Sequence, residues 1–492
     1  MPNDSLDFSE EQFKKLLDKS TELVFEKFKK LEDLKGYHYF SQKEVASWFE
    51  EELPNLGMNT TDLLEEVEKK VMQTATGNLG PHMYAYVMSG GNQIAIVAEK
   101  LAATINQNQT KWHLGAAMNE IEKRVIAWTA KLLDFPEASG GVLVSGGSAA
   151  NLTGLTVGRN IMFEKADIRK KGLFNQQPFV VYASEEVHSC MDKSVELLGI
   201  GTDYLHKIET DDGFKIKTDT LIEQIEADLA NGLQPFCVVG NAGTVNTGAI
   251  DDLNVLADIA KKYGLWYHID GAYGALAGIL DSLKEEYKGM EKADSIALDF
   301  HKWLYVPFEG GCTLVRSWNH LKRTYYKKAA YLDTELANDG NRLEFNEHYF
   351  QLSRNAKAFK VWMTIKAYGM DRIKAMIQKD IDLTQYLNEQ VAASQDFELV
   401  ADSKLAVSCF RYVGDIESKK DVEEFNRRLM PELEKDGRVF IMGTTLKGEY
   451  AIRACLINHR KTKNSIDYLL EVIRDVAQKL EKTTLKMEQH EP

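Results

Sequence analysis

The chain has 492 residues, 44% of them hydrophobic and 27% charged, with a formal net charge of −14. A chain of that length buries a large core and predicts one big domain with smaller companions. The negative balance argues against a nucleic-acid or anionic-membrane surface, because phosphate binding needs a concentrated basic footprint that no segment supplies; a small-molecule partner fits better.

The N-terminal stretch MPNDSLDFSEEQFKKLLDK reads as an acidic amphipathic helix, without the basic start and apolar run of a secretory leader. No segment reaches the ~20 apolar residues that span a bilayer. The cysteines at 190, 237, 312, 409 and 455 form no CxxC pair, which disfavours a disulfide framework and a zinc or other metal site. A soluble protein of the reducing cytoplasm is the expectation.

Strong helix formers dominate residues 1–95, as in EEQFKKLLDKSTELVFEKFKKLEDL and NTTDLLEEVEKKVMQTA. From about Gly140 short apolar runs (GVLV, PFVVYA, FCVVG, LWYHID, SIALD, CTLV) alternate with helical segments. Such alternation predicts an α/β fold with a mostly parallel central sheet and crossover helices over residues 96–355. Past Arg354 comes a long helix, then strand-rich pieces around KLAVSCFRYVG and EYAIRACLIN, which predict a small α+β domain over 356–492.

In open α/β sheets the ligand site lies at the carboxyl ends of the strands, so the loops after these runs hold the candidate residues. In VLVSGGSAANLTGL, Gly146 and Gly147 permit close backbone approach, and Ser148 opens a helix whose free N–H groups favour an anion such as phosphate. The same stretch is equally a tight turn with a serine cap. It is neither a P-loop nor a dinucleotide fingerprint. His188 in EEVHSCMDKSV stands where an imidazole stacks on a planar ligand, although a lone histidine is more often structural. Thr244 follows FCVVG in a loop of small residues. Asp270 ends a buried strand, where a carboxylate needs a partner such as a pyridinium N–H. His301 and Lys302 interrupt the apolar run DSIALDFHKWL, and a partly desolvated lysine amine is a nucleophile toward aldehydes. Phosphate grip, ring stacker, ring-nitrogen partner and amine together match the requirements of pyridoxal 5′-phosphate.

The chain resembles the group II pyridoxal-phosphate decarboxylases, the family of aromatic-L-amino-acid, glutamate and histidine decarboxylases. NLGPHMYAYV, SGGSAANL, EEVHSCMDKSV, GNAGTVNTGAIDDL, WYHIDGAYG, DSIALDFHKWL and LSRNAKAFKVWM carry the likeness over nearly the whole chain. The resemblance implies fold type I, the aspartate-aminotransferase-like architecture. It implies a Schiff base on Lys302, His188 over one ring face and in catalysis, Ala272 on the other face, and Asp270 at the pyridine nitrogen. It places Gly147 and Ser148, with His301, on the phosphate. Thr244 is implied near the phenolic oxygen or the substrate carboxylate, His268 behind the site, and Arg354 in support. The implied reaction is decarboxylation of an L-amino acid to its amine through a quinonoid, reprotonated by Tyr331 on a loop lent by the neighbouring subunit. A homodimer wrapped by the N-terminal helices is implied as well. An aldehyde synthase, or another fold type I enzyme acting on a small or acidic amino acid, is the competing reading; the presence of both Tyr331 and His188 favours simple decarboxylation. The substrate-pocket positions correspond to Asn78, Tyr86, Val87 and Thr110, of which only Tyr86 is aromatic, so an aromatic substrate is one option among several. Lys111 is the one nearby cation for an acidic substrate, and Asp299 reads as structural.

Overall fold

In a computed structural model of the chain, residues 6–327, 342–416 and 418–488 are described. The first helix, Glu10–Lys29, starts from a capping box in which Ser9 and Gln12 satisfy each other's exposed donors. Shorter helices follow at Gln42–Ser47 and Thr60–Val67, the latter capped by Asn59. The helical reading of the N-terminal part is thus incomplete, because residues 73–92 form an irregular segment. Its residues 83–84 run beside the small C-terminal domain: Met83 bridges Phe440, the Tyr84 N–H donates to the Phe440 carbonyl, and the Tyr84 carbonyl accepts from Cys455. Pattern alone gave no sign of this segment, since its partners lie some 350 residues away in sequence.

Seven strands form the large sheet: β1 Gly140–Val144, β2 Phe179–Ser184, β3 Leu205–Ile208, β4 Gln234–Asn241, β5 Trp266–Asp270, β6 Ser295–Asp299 and β7 Gly311–Val315. Their order is β1-β7-β6-β5-β4-β2-β3. All five residues of β1, β5, β6 and β7 are buried, which is why these strands are continuous apolar runs rather than alternating ones. β7 runs antiparallel to both β1 and β6, so those two point the same way, and β2 to β6 are parallel to one another. One geometric consequence fixes the site. The carboxyl ends of β1, β2, β4, β5 and β6 open on a single rim.

A second sheet, ordered β10-β11-β9-β8, is wholly antiparallel. It comprises β8 Phe397–Ala401, β9 Val407–Tyr412, β10 Met442–Leu446 and β11 Glu449–Cys455. The two anticipated strand-rich pieces are β9 and β11, the buried inner pair. The half-exposed edge strands β8 and β10 have mixed polar sequences and do not stand out. The long helix Lys357–Ala393 joins the two sheets and breaks once, at Gly369, where φ of 71° is accessible to glycine at little cost. No described helix is long and apolar enough to cross a membrane.

Candidate active site

The rim encloses a cavity of about 520 Å³. Its walls include Gly146, Gly147 and Ser148 after β1, His188 after β2, Thr244 after β4, Asp270 and Ala272 at the end of β5, and Asp299, His301 and Lys302 at the end of β6. Residues spread over more than 150 positions of sequence therefore share one volume, as the common direction of the strands requires.

After β1 the chain enters the helix Gly147–Met162 with no side chain capping its first turn. The leading N–H groups have no intrahelical acceptor, so they and the helix dipole face the cavity as an anion cradle. The close quarters explain Gly147. A Cβ there would lie 2.7 Å from the Ala272 Cβ and 3.0 Å from the Asp299 Oδ2, inside normal contact.

Lys302 lies on the single helical turn Phe300–Trp303 that follows β6. Its Nζ is 3.2 Å from Asp299 Oδ2, and His301 Nε2 is 3.5 Å from the same oxygen. His301 Nδ1 accepts the Gly310 N–H at 3.3 Å, which leaves the proton of the neutral ring on Nε2, and burial lowers its pKa below the usual histidine value. Asp299 is buried, and its second oxygen, Oδ1, has no hydrogen-bond partner. The reading of Asp299 as a structural residue is therefore corrected: it lines the cavity and is the counter-charge of Lys302. The run of residue types in SIALDFHKW did not show which way this carboxylate turns.

Asp270 presents its carboxylate at the β5 end, with Oδ1 receiving the Ala272 N–H at 3.1 Å. Behind it, a hydrogen-bond chain runs in one direction. Trp266 Nε1 donates to Ser295 Oγ (2.8 Å), Ser295 Oγ to His268 Nδ1 (2.8 Å), His268 Nε2 to Asn151 Oδ1 (2.9 Å), and Asn151 Nδ2 to Cys190 Sγ (3.3 Å). Each donor finds an acceptor only if His268 is neutral, and its burial agrees, pushing the pKa down to about 4. Asn151 and Cys190 also line the cavity and were not singled out in the sequence. Asn151 sits one turn into the helix that starts at Gly147, a spacing that would have exposed it.

His188 Nδ1 accepts the Cys190 N–H at 3.2 Å, so a neutral ring carries its proton on Nε2. Thr244 is engaged within its own turn: its Oγ1 pairs with Thr247 Oγ1 at 3.0 Å and accepts the Ala249 N–H at 3.1 Å. Tyr86 and Val87 line the cavity together with Tyr273 and Phe308, whereas Asn78 and Thr110 do not line it. Asn78 Oδ1 instead accepts from Thr76 Oγ1, and Thr110 is buried. Lys111 is buried as well and is absent from these walls. Tyr331 falls outside the described residues.

Two arginines brace the site. Arg453 on β11 donates to the Tyr86 carbonyl from Nη1 (3.1 Å) and to the Val245 carbonyl from Nε (2.9 Å), tying two walls of the cavity to the small domain. Arg354 forms a buried ion pair with Glu122 at 2.5 Å. Glu122 Oε1 accepts the Leu143 N–H (2.9 Å) while Arg354 Nη2 donates to the Leu143 carbonyl (3.1 Å), so the pair grips the outer side of β1 just before the anion cradle.

An amine, a carboxylate one strand away and an uncapped helix N-terminus around one cavity are what a fold type I pyridoxal-phosphate enzyme requires, the free N–H groups at Gly147 and Ser148 being donors suited to its phosphate. Comparison with known proteins narrows the class. Residues 43–413 match the pyridoxal-dependent decarboxylase conserved domain, and the chain belongs to that family. It is 32% identical over 479 residues to an aromatic-L-amino-acid decarboxylase of Bacillus atrophaeus, covering 97% of this chain and 98% of that one. It is 28% identical to a phenylacetaldehyde synthase of Arabidopsis thaliana, covering 80% and 81%. A crystal structure of Oryza sativa TDC with PLP and tryptamine superposes with a TM-score of 0.91 at 23% identity, covering 97% and 99%, which supports the fold. The chain is a pyridoxal-phosphate-dependent decarboxylase, a carboxy-lyase acting on an amino acid.

Proposed function

We propose that this enzyme decarboxylates an aromatic L-amino acid to its amine. The observation that carries the reading is the cavity wall itself. Tyr86, Val87, Tyr273 and Phe308 flank the cofactor residues, and no arginine is among the described lining residues to meet an acidic side chain. The name of the Bacillus atrophaeus relative supports it.

In this reading Gly147 and Ser148, with His301, hold the phosphate; Asp270 holds the ring nitrogen; His188 and Ala272 take the two ring faces; Thr244 lies beside the phenolic oxygen or the substrate carboxylate; and Lys302 holds the aldehyde carbon. When bound, pyridoxal phosphate supplies a carbonyl for amines and a ring that accepts the electron pair left by departing carbon dioxide. The protein's own part is placement and protons. Asp270 keeps the ring nitrogen protonated by offering a carboxylate in a mostly buried site. Asp299 Oδ2, 3.2 Å from Lys302 Nζ, is set to take a proton from that amine or return it when the substrate's amino group arrives. Tyr331 delivers the proton to the substrate's Cα. The aromatic wall orients the side chain, and with it the carboxylate to be lost.

The chain's three parts, 1–95, 96–355 and 356–492, act as a dimer-wrapping helical segment, a large cofactor domain and a small C-terminal α+β domain in a cytoplasmic homodimer. Support comes from the first part, which leaves Phe13, Phe25, Leu53 and Leu56 exposed, the last two by 86% and 87%. Apolar surface of this kind suits a second copy, and light scattering on the purified protein checks it. The function itself is tested by carbon dioxide release from a panel of aromatic, acidic, basic and small amino acids with the cofactor present. Amine from the aromatic members supports the proposal; release from acidic members alone overturns it. Aldehyde with ammonia and peroxide assigns the chain to the aldehyde-synthase branch instead.

A further inference from the structure

Lys302 sits on one helical turn, and a single turn has too few hydrogen bonds of its own to hold a side chain in place. Something behind it must. The next residue, Trp303, is fully buried, and its indole Nε1 donates to Asp380 Oδ2 at 3.3 Å. Tyr305 donates its hydroxyl to the same oxygen at 2.8 Å. Asp380 comes from the helix Lys357–Ala393 and is fully buried; its other oxygen, Oδ1, has no hydrogen-bond partner, with the buried Lys461 and the half-buried Lys379 as the cations acting on it from a distance. One carboxylate oxygen therefore anchors both residues that follow the lysine by one and three positions.

Two more contacts show that the segment is held against its own preference. Tyr305 has φ of 54°, a conformation uncommon for a bulky residue, and its carbonyl accepts from both the Asn92 N–H (2.7 Å) and Asn92 Nδ2 (2.8 Å). Trp303 stacks on Tyr273 with centroids 5.0 Å apart, and Tyr273 lines the cavity. The carboxylate thus fixes the back of the Lys302 turn, and the indole carries that placement to the cavity wall. A buried acid with one oxygen unpartnered is costly to keep, and burial raises its pKa to about 7. A packing role alone would be met by leucine.

We propose that Asp380 is a positioning residue for Lys302, orienting the amine through Trp303 and Tyr305 without touching the cofactor. The proposal rests on Lys302 as the cofactor-holding amine. Lys302→Ala tests that premise separately, since it abolishes the visible absorbance of the lysine-bound cofactor if the premise holds.

Asp380→Asn keeps an oxygen where Oδ2 stands, so it still accepts from both donors; Asp380→Leu keeps the size and removes the acceptor. In the holoenzyme, the leucine variant is expected to lose about tenfold or more in kcat with KM little changed, and to shift the pH midpoint of the visible band, while the asparagine variant stays within about threefold of the parent. In the cofactor-free protein, hydrogen exchange at residues 300–306 is expected to speed up in the leucine variant and not in the asparagine variant. Should the leucine variant fail to fold, Tyr305→Phe and Trp303→Phe each remove one donor to Asp380 and are each expected to lower kcat severalfold with KM little changed, and to speed exchange at residues 300–306. A folded leucine variant with parental kcat, midpoint and exchange overturns the proposal. So does an asparagine variant as damaged as the leucine one, or parental kcat and exchange in both the Tyr305→Phe and the Trp303→Phe variants.

Discussion

Replacing Gly147 by alanine tests the anion cradle directly. The added methyl carbon would stand 2.7 Å from the Ala272 Cβ and 3.0 Å from the Asp299 Oδ2, where carbon contacts are optimal at about 3.5–4.0 Å. Neither neighbour yields readily. The Ala272 methyl moves only with its backbone, and Asp299 is held by Lys302 and His301. Relief must come from shifting the start of the helix Gly147–Met162, which draws its leading N–H groups off the phosphate. Overpacking of this sort costs about 1–3 kcal/mol, equivalent to about 5- to 150-fold in Kd. The assay is a titration of cofactor-free protein with pyridoxal phosphate and, in parallel, with pyridoxal, following the visible band. The phosphate-bearing ligand should lose more affinity than pyridoxal, with the melting temperature of the cofactor-free protein lowered only modestly. Equal losses for both ligands, or no loss for either, would refute the cradle assignment.

Tyr331→Phe is expected to lower amine output and raise aldehyde output, measured by product chromatography; an unchanged amine yield removes Tyr331 from the proton-donor role. Arg354→Met strands the buried Glu122 carboxylate and should cost about 3–5 kcal/mol in urea unfolding, against a far smaller change for any exposed ion pair such as Lys15–Glu11. Acid should destabilise the protein through His268, whose burial holds its pKa at about 4 against an ordinary 6.5. The unfolded chain takes up that proton first, so the stabilisation is complete above pH 6.5 and lost as pH falls toward 4, a difference of roughly 3 kcal/mol. His459, lowered to about 3 for the same reason, adds to the effect, while Asp380, raised to about 7, opposes it. Comparing His268→Asn with the parent in denaturant melts from pH 7 to 4 isolates the first contribution, and identical slopes would contradict it.

The large sheet was legible because its strands are buried on both faces and so stand out as apolar runs between helices. The rim followed from the parallel order, and Gly147, Ser148, His188, Thr244, Asp270, Ala272, His301 and Lys302 do line one cavity. What the residue order concealed were interactions set by side-chain direction or long range. Asp299 turns toward Lys302, Asn151 reaches His268 across 117 positions, and Asp380 reaches Trp303 across 77. The pocket was harder for the same reason. Tyr86 reaches the cavity because its segment pairs with Phe440 and Cys455, whereas Asn78 and Thr110, at equally plausible positions in the sequence, face elsewhere.

The buried pair at the outer side of β1 has one more effect. β1 is the last strand of its sheet, and an unpaired strand offers its N–H and C=O groups as a template for another chain. Glu122 and Arg354 occupy both groups of Leu143, so at that residue a charged pair stands in for the missing neighbouring strand. The edge is closed to intruding chains at Leu143, two residues before the loop that leads into the helix Gly147–Met162.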